Sequence, residues 1–181
     1  MRSSEDVLHF WFGEYGKDDW FGGKPEFDAE LGAGFADTHP AVARGEAWAW
    51  RRTPEGRLAE IIVLDQFSRQ LHRGAREAFA QDKMALVLAQ EAITAGADQL
   101  VDVVHRPFFY LPFMHAESLV IQDEGVRLYE ALGDEEQLDY MRKHRAAIAR
   151  FGRFPFRNKA LGRESTAEEL EYMTEQGERG F

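Results

Sequence analysis

The chain contains no cysteine. Disulfides, thiolate metal sites and cysteine nucleophiles are therefore excluded, and the composition suits a reducing compartment. Lysine is scarce as well: five of the 22 basic residues are lysine and 17 are arginine, against 32 acidic residues, for a net charge of −10. A chain that binds nucleic acid nonspecifically is usually basic, so no nucleic-acid partner is expected. Long apolar runs are missing. Met84–Ala89 and FFYLPFM (108–114) fall far short of a membrane span, so no membrane partner is expected either. The opening MRSSEDVLHF places Glu5 and Asp6 where a secretory leader is apolar, which makes the cytoplasm the expected location. Walker-type loops, dinucleotide fingerprints, HExxH pairs, EF-hand loops and nucleophile elbows are all absent. The six histidines are scattered without ligand spacing. No metal and no cofactor is expected.

What remains is an ordinary globular composition in 181 residues, 44% apolar and 13% aromatic, long enough for one domain with a substantial core. We expect a single helical domain over 1–181, with 176–181 frayed. No segment alternates with period two, and helical punctuation recurs along the chain. Ser3 or Ser4 caps a first short helix, and a loop follows through Gly22 and Gly23. Pro25 opens a second helix, whose continuity Gly32 and Gly34 put in question. Thr53-Pro54-Glu55 opens a third that runs to about Arg73. Further helices are expected over about 76–95, from Pro107 or Pro112 to Leu132, and from the Asp134 cap to Phe151. Arg153–Glu164 reads as an ordered loop, and Thr166-Ala167-Glu168-Glu169 is a capping box. Consecutive helices with short connections give an all-α fold of antiparallel helical hairpins, a bundle of about six to eight helices.

Three segments place charge on apolar faces. In LAEIIVLDQFSRQLHRG both sides of the first half are apolar, so this helix is central. Asp65, Arg69, His72 and Arg73 extend one of its buried faces. Asp65 and Arg69, four apart, can pair; Arg73 has no local carboxylate and suits a ligand or a distant partner. Asp82 is a further candidate partner for an arginine. In FFYLPFMHAESLVIQ, helical spacing surrounds both His115 and Glu117 with apolar neighbours, so Glu117 is expected to be buried like Asp65. In FGRFPFRNKALGREST, Arg153, Arg157, Asn158 and Arg163 interleave with phenylalanines, an arrangement that either binds an anion or staples elements together.

Together LDQFSRQLHRG, AFAQD, RPFFYLPFMHAESLVIQ and FGRFPFRNKALGREST, with the opening VLHFWFGE, resemble the bacterial family known as domain of unknown function 924 over nearly the whole chain. The resemblance implies an all-α fold similar to tetratricopeptide-repeat proteins, and no established activity. Three departures from the family's usual pattern stand out: Phe156 in place of a histidine, Gln70 in place of an asparagine and Ala116 in place of a serine.

Three functional readings follow. The first is a binding module whose aromatic-walled cleft takes an anionic small molecule or a peptide carboxylate through Asp65, Arg69, Arg73, His115, Glu117, Arg153, Arg157 and Asn158, with Arg73, Arg153 and His115 sharing one site. The second is a hydrolase-like enzyme using His115 or His144 with Asp65 or Glu117. The third is an internal ion-pair core with no ligand at these residues.

Overall fold

A computed structural model describes residues 1–20 and 24–177, and among them there is no β-strand. The expectations for Gly22 and Gly23 and for the last four residues lie outside the described residues. The helices are α1 (Ser4–Leu8), α2 (Lys17–Trp20), α3 (Pro25–Phe35), α4 (Thr38–Ala43), α5 (Pro54–Ile62), α6 (Ser68–Leu71), α7 (Asp82–Thr94), α8 (Pro107–Met114), α9 (Leu119–Leu132), α10 (Glu135–Phe151), α11 (Asn158–Leu161) and α12 (Ala167–Gln176). Two π-helical segments, His9–Glu14 and Val63–Phe67, and four 3-10 turns join them. The fold is all-α.

Local chemistry explains most of the helix starts. Ser3 and Asp6 form a reciprocal capping box on α1, as do Thr166 and Glu169 on α12. Thr53 accepts from the Gly56 N–H at 3.1 Å, and Asp134 accepts from the Gln137 N–H at 3.1 Å. The ends are set by glycine: Gly96, Gly133, Gly152 and Gly162 all adopt left-handed φ, which spares them a Cβ clash. α3 passes through Gly32 and Gly34 without a break.

Two helices are shorter than their periodicity predicts. The one expected over about 76–95 is a 3-10 turn at Arg76–Phe79 followed by α7 from Asp82. The one expected from Pro107 or Pro112 to Leu132 is interrupted between Met114 and Leu119. The interruption leaves carbonyls without an intrahelical partner. Gln122, fully buried, satisfies them by donating its amide to the oxygens of Phe113 (3.2 Å), Met114 (2.7 Å) and Ala116 (2.8 Å).

The chain forms two compact units, 1–73 with 77–112, and 74–76 with 113–181. In the first, α5, the π-helical segment and α6 form the central rod. Leu58 and every apolar residue from Ala59 to Phe67 are at most 1% exposed, in line with the two-sided apolar pattern of this segment. Around the rod lies an aromatic core. Trp11 stacks on Trp20 at 5.5 Å, meets Phe108 edge-on at 5.9 Å and contacts Phe67 at 5.6 Å. In the second unit, α9 and α10 form a hairpin through the Gly133–Asp134 turn, and Leu128, Tyr129, Leu138, Met141 and Ile148 fill its interior.

Buried in the first unit is a histidine with a definite protonation preference. The Ser68 hydroxyl donates to the Leu64 carbonyl at 2.6 Å, so its oxygen accepts from His39 Nε2–H at 2.8 Å. Burial, aided by nearby His72, pushes the His39 pKa down to about 4 from the ordinary 6.5. The unfolded chain therefore binds a proton at this residue between pH 6.5 and 4 while the folded chain does not, so stability falls as the pH drops through that window. Urea-unfolding midpoints taken from pH 7 to 4 are expected to decline, and His39→Gln to flatten the decline. A wild-type profile identical to that of the variant overturns this assignment.

Candidate functional site

The arginine- and carboxylate-bearing residues singled out by sequence divide between the units. Asp65, Arg69 and Arg73 belong to the first; His115, Glu117, Arg153, Arg157 and Asn158 belong to the second, as does His144.

In the first unit Asp65 sits in the π-helical segment and is 1% exposed. Arg69 Nη1 lies 3.1 Å from an Asp65 carboxylate oxygen and donates to the Asp65 carbonyl at 2.7 Å. The same guanidinium grips Asp82 in bidentate fashion at 2.9 and 3.1 Å and lies against the Phe79 ring. Burial opposes the charge on Arg69, but Asp65 and Asp82 outweigh it and raise its pKa. Arg73 is half exposed. It pairs bidentately with Asp28, both distances 3.0 Å, and donates to the side-chain oxygen of Gln70, whose amide donates to the Trp20 carbonyl at 2.7 Å.

In the second unit the segment between α8 and α9, residues 115–118, carries His115 and Glu117. Neither lies on a helix, so the helical-face placement of both is corrected. Glu117 is not buried as expected: its side chain keeps 26% of its exposure. It is nonetheless engaged on both oxygens. Oε1 accepts from the Phe154 N–H (2.8 Å) and from Arg163 (2.9 Å), and Oε2 accepts from Arg163 (2.7 Å). Partial burial acts to raise the Glu117 pKa, but these hydrogen bonds and the charges of Arg163 and Arg157 outweigh it and leave it lowered. Arg163 also donates to Asn158 Oδ1 at 2.9 Å, and Asn158 donates to Glu169 at 3.2 Å. Glu169, 2% exposed, takes a bidentate grip from Arg153 at 2.7 and 2.9 Å. The Arg153 hydrogen bond, with help from the Thr166 N–H and Asn158, pulls the Glu169 pKa down to about 2. One continuous chain of bonds, Glu117–Arg163–Asn158–Glu169–Arg153, thus ties the 115–118 segment to α11 with its flanking turns, where an ordered loop was expected, and to α12.

Arg157 donates to the His115 carbonyl at 3.0 Å and lies over the Phe154 ring at 4.6 Å. His115 and His144 have ring centroids 6.3 Å apart. His144 Nδ1 is 2.8 Å from the Tyr140 carbonyl, so Nδ1 carries a proton. Among the described residues no group of three or more histidine, aspartate or glutamate side chains is placed to hold a metal ion. No helix among them is long and apolar enough to cross a membrane.

Sequence reasoning passed over Asp28 and read Glu169 only as half of a capping box. Asp28 is 45 residues from Arg73, and no local spacing indicates such a pair. Gln122 was assigned to the face of an unbroken helix, and the interruption is what gives its amide a purpose.

A family model described as bacterial protein of unknown function, DUF924, matches residues 7–177. The chain belongs to this family. The DUF924 chain is also similar to a solved structure, the protein of unknown function ATU0120 from Agrobacterium tumefaciens. The two are 41% identical, with a TM-score of 0.90, over 96% of this chain and 97% of that one. No curated protein matches it. The Phe156 ring lies 6.3 Å from that of Tyr172.

Proposed function

We propose that the arginine-rich segments of this DUF924 chain are internal fastenings of a helical fold, the ion-pair core, rather than ligand contacts. One observation carries the reading. The guanidinium groups of Arg69, Arg73, Arg153 and Arg163 each meet a carboxylate of the same unit in bidentate geometry. An anionic ligand at these groups would have to displace carboxylates already held by two hydrogen bonds each, and removing either partner of a buried pair strands a charge. A general base fares no better at Glu117. Both its oxygens accept bonds and its pKa is lowered, the reverse of what proton abstraction near neutrality requires. The net charge of −10 further directs the chain away from nucleic acid.

Thermal unfolding of wild type and Arg153→Met, with and without phosphate, citrate and short carboxylate-terminated peptides, tests the reading. The variant is expected to melt lower than wild type in plain buffer, and these anions to leave the wild-type midpoint in place. Anion-dependent stabilisation of the wild type, abolished in a variant with an unchanged midpoint, would falsify it.

A further inference from the structure

The first unit holds an open cleft of about 370 Å³ that none of the arginine pairs lines, between α1 with its π-helical continuation and α3. That volume falls at the small end of the range for small-molecule sites. Its floor is apolar: the rings of Phe10 and Phe35, 5.0 Å apart and edge to face, with Ala33 beside them. Its rim is charged, and unevenly so. Asp6, Glu14 and Glu30 face one guanidinium, Arg2, and one imidazole, His9.

The backbone arranges this rim. In an α-helix, residues five apart diverge by about 140° around the axis. The wider π-helical turn of His9–Glu14 instead brings His9 Nε2 to 3.3 Å from the Glu14 carboxylate. The His9 ring lies over Gly13, where an added Cβ would stand 2.9 Å from Nδ1. π-Helical turns are rare and concentrate at functional sites. Glu30 is fixed in turn by the Tyr15 hydroxyl, which donates to it while the Tyr15 ring packs on Phe10 at 4.8 Å and on Phe27 at 4.8 Å. Arg2, which also lines the cleft, is tethered by its backbone N–H on Thr38 and Nε on the Gly34 carbonyl. The Tyr15 pKa is pushed up to about 12, first by its bond to Glu30 and then by burial and the charges of Glu30, Glu14 and Asp19.

We infer that this cleft binds a small organic cation, an amine or guanidinium on a short aliphatic stem, with the stem on Phe10 and Phe35 and the charged head at Glu14 and Glu30. The rings suit the aliphatic stem and the carboxylates the charged head, and the net charge of −10 raises the local concentration of cations of any kind. The ligand is opposite in sign to the one the arginine count suggests. The inference stands apart from the arginine fastenings, since the cleft uses none of them.

The test is a titration of the full chain, labelled with nitrogen-15, with butane-1,4-diamine and agmatine, and with succinate as the anion of matching length, followed by amide shifts. The cations are expected to saturate and to move amides at positions 2–15 and 30–35, and succinate is not. Glu14→Gln and Glu30→Gln are each expected to weaken binding about threefold to fivefold. Because Glu30→Gln also touches Tyr15, a second variant guards the conclusion. Gly34 lines the cleft, and a Cβ added there meets nothing within 4 Å, so Gly34→Leu adds bulk at the cleft wall with no clash at Cβ and within a helix. It is expected to fold normally and to lose cation binding. Shifts spread evenly over acidic patches, equal binding of succinate, or cation binding unchanged in Gly34→Leu each overturn the inference.

Discussion

Replacing Arg69 with methionine is expected to lower the unfolding free energy by about 3–5 kcal/mol, measured by urea denaturation at neutral pH. Methionine keeps much of the aliphatic stem, so the loss isolates the guanidinium, its seat over Phe79 included. Two carboxylates lose their partner at once. Asp82, with 16% of its side chain exposed, can turn toward water. Asp65 at 1% cannot; the Gln66 amide at 2.5 Å remains, but it carries no charge to balance the carboxylate. An uncompensated charge in the interior is what makes a broken buried pair so much more costly than a broken surface pair, which is worth at most about 1 kcal/mol. A measured loss below about 1 kcal/mol would show that the pair is solvated and that its enclosure in the first unit has been misread.

Gly56→Ala is the second large effect, and here two terms compete. Gly56 is the third residue of α5, and alanine in a helix is favoured over glycine by about 1 kcal/mol. A Cβ at this position, however, would stand 2.0 Å from the Trp50 carbonyl oxygen, 2.8 Å from its carbon and 2.9 Å from Thr53 Oγ1. The carbonyl belongs to the 3-10 turn Trp48–Arg52 and accepts from the Thr53 N–H at 3.3 Å, so it cannot retreat without undoing the turn that leads into α5. The same turn places Arg51 on Glu60, a buried carboxylate 1% exposed, at 2.7 Å on both arms. The clash outweighs the propensity gain, and a net loss of about 2–3 kcal/mol is expected. A stabilised alanine variant would contradict the close approach of the turn to α5.

The elements that were legible in the sequence are those decided within a few residues. Ser3, Thr53, Asp134 and Thr166 announce helix starts because their caps bond to an N–H three residues on. Asp65 and Arg69 were legible because a pair four apart shares a helix face. The interruption after α8 was not, since 107–132 keeps helical periodicity throughout. What stabilises the break is a set of distant donors: the Gln122 amide on three carbonyls, and the Phe154 N–H and Arg163 on Glu117. Periodicity carries no record of such partners, which is why His115 and Glu117 were placed on helix faces they do not occupy. The arginine excess supplied side chains suited to bidentate carboxylate contacts without naming a partner. The choice of Asp28 for Arg73, or of Glu169 for Arg153, depends on tertiary structure alone.

The central claim, that these arginines fasten the fold, makes the burial of both members of each pair the quantity that matters. The most direct measurement is the urea midpoint of four single variants, Arg69→Met, Arg153→Met, Arg163→Met and Arg73→Met, in buffer free of multivalent anions. The partners of Arg69 and Arg153 are Asp65 and Glu169, with side chains 1% and 3% exposed, so these two variants are predicted to lose most. Arg163, on Glu117 at 26%, should lose less, and Arg73, itself 51% exposed and paired with Asp28 at 23%, least of all. Four midpoints equal to that of the wild type, or an order in which Arg73→Met falls furthest, would contradict the account.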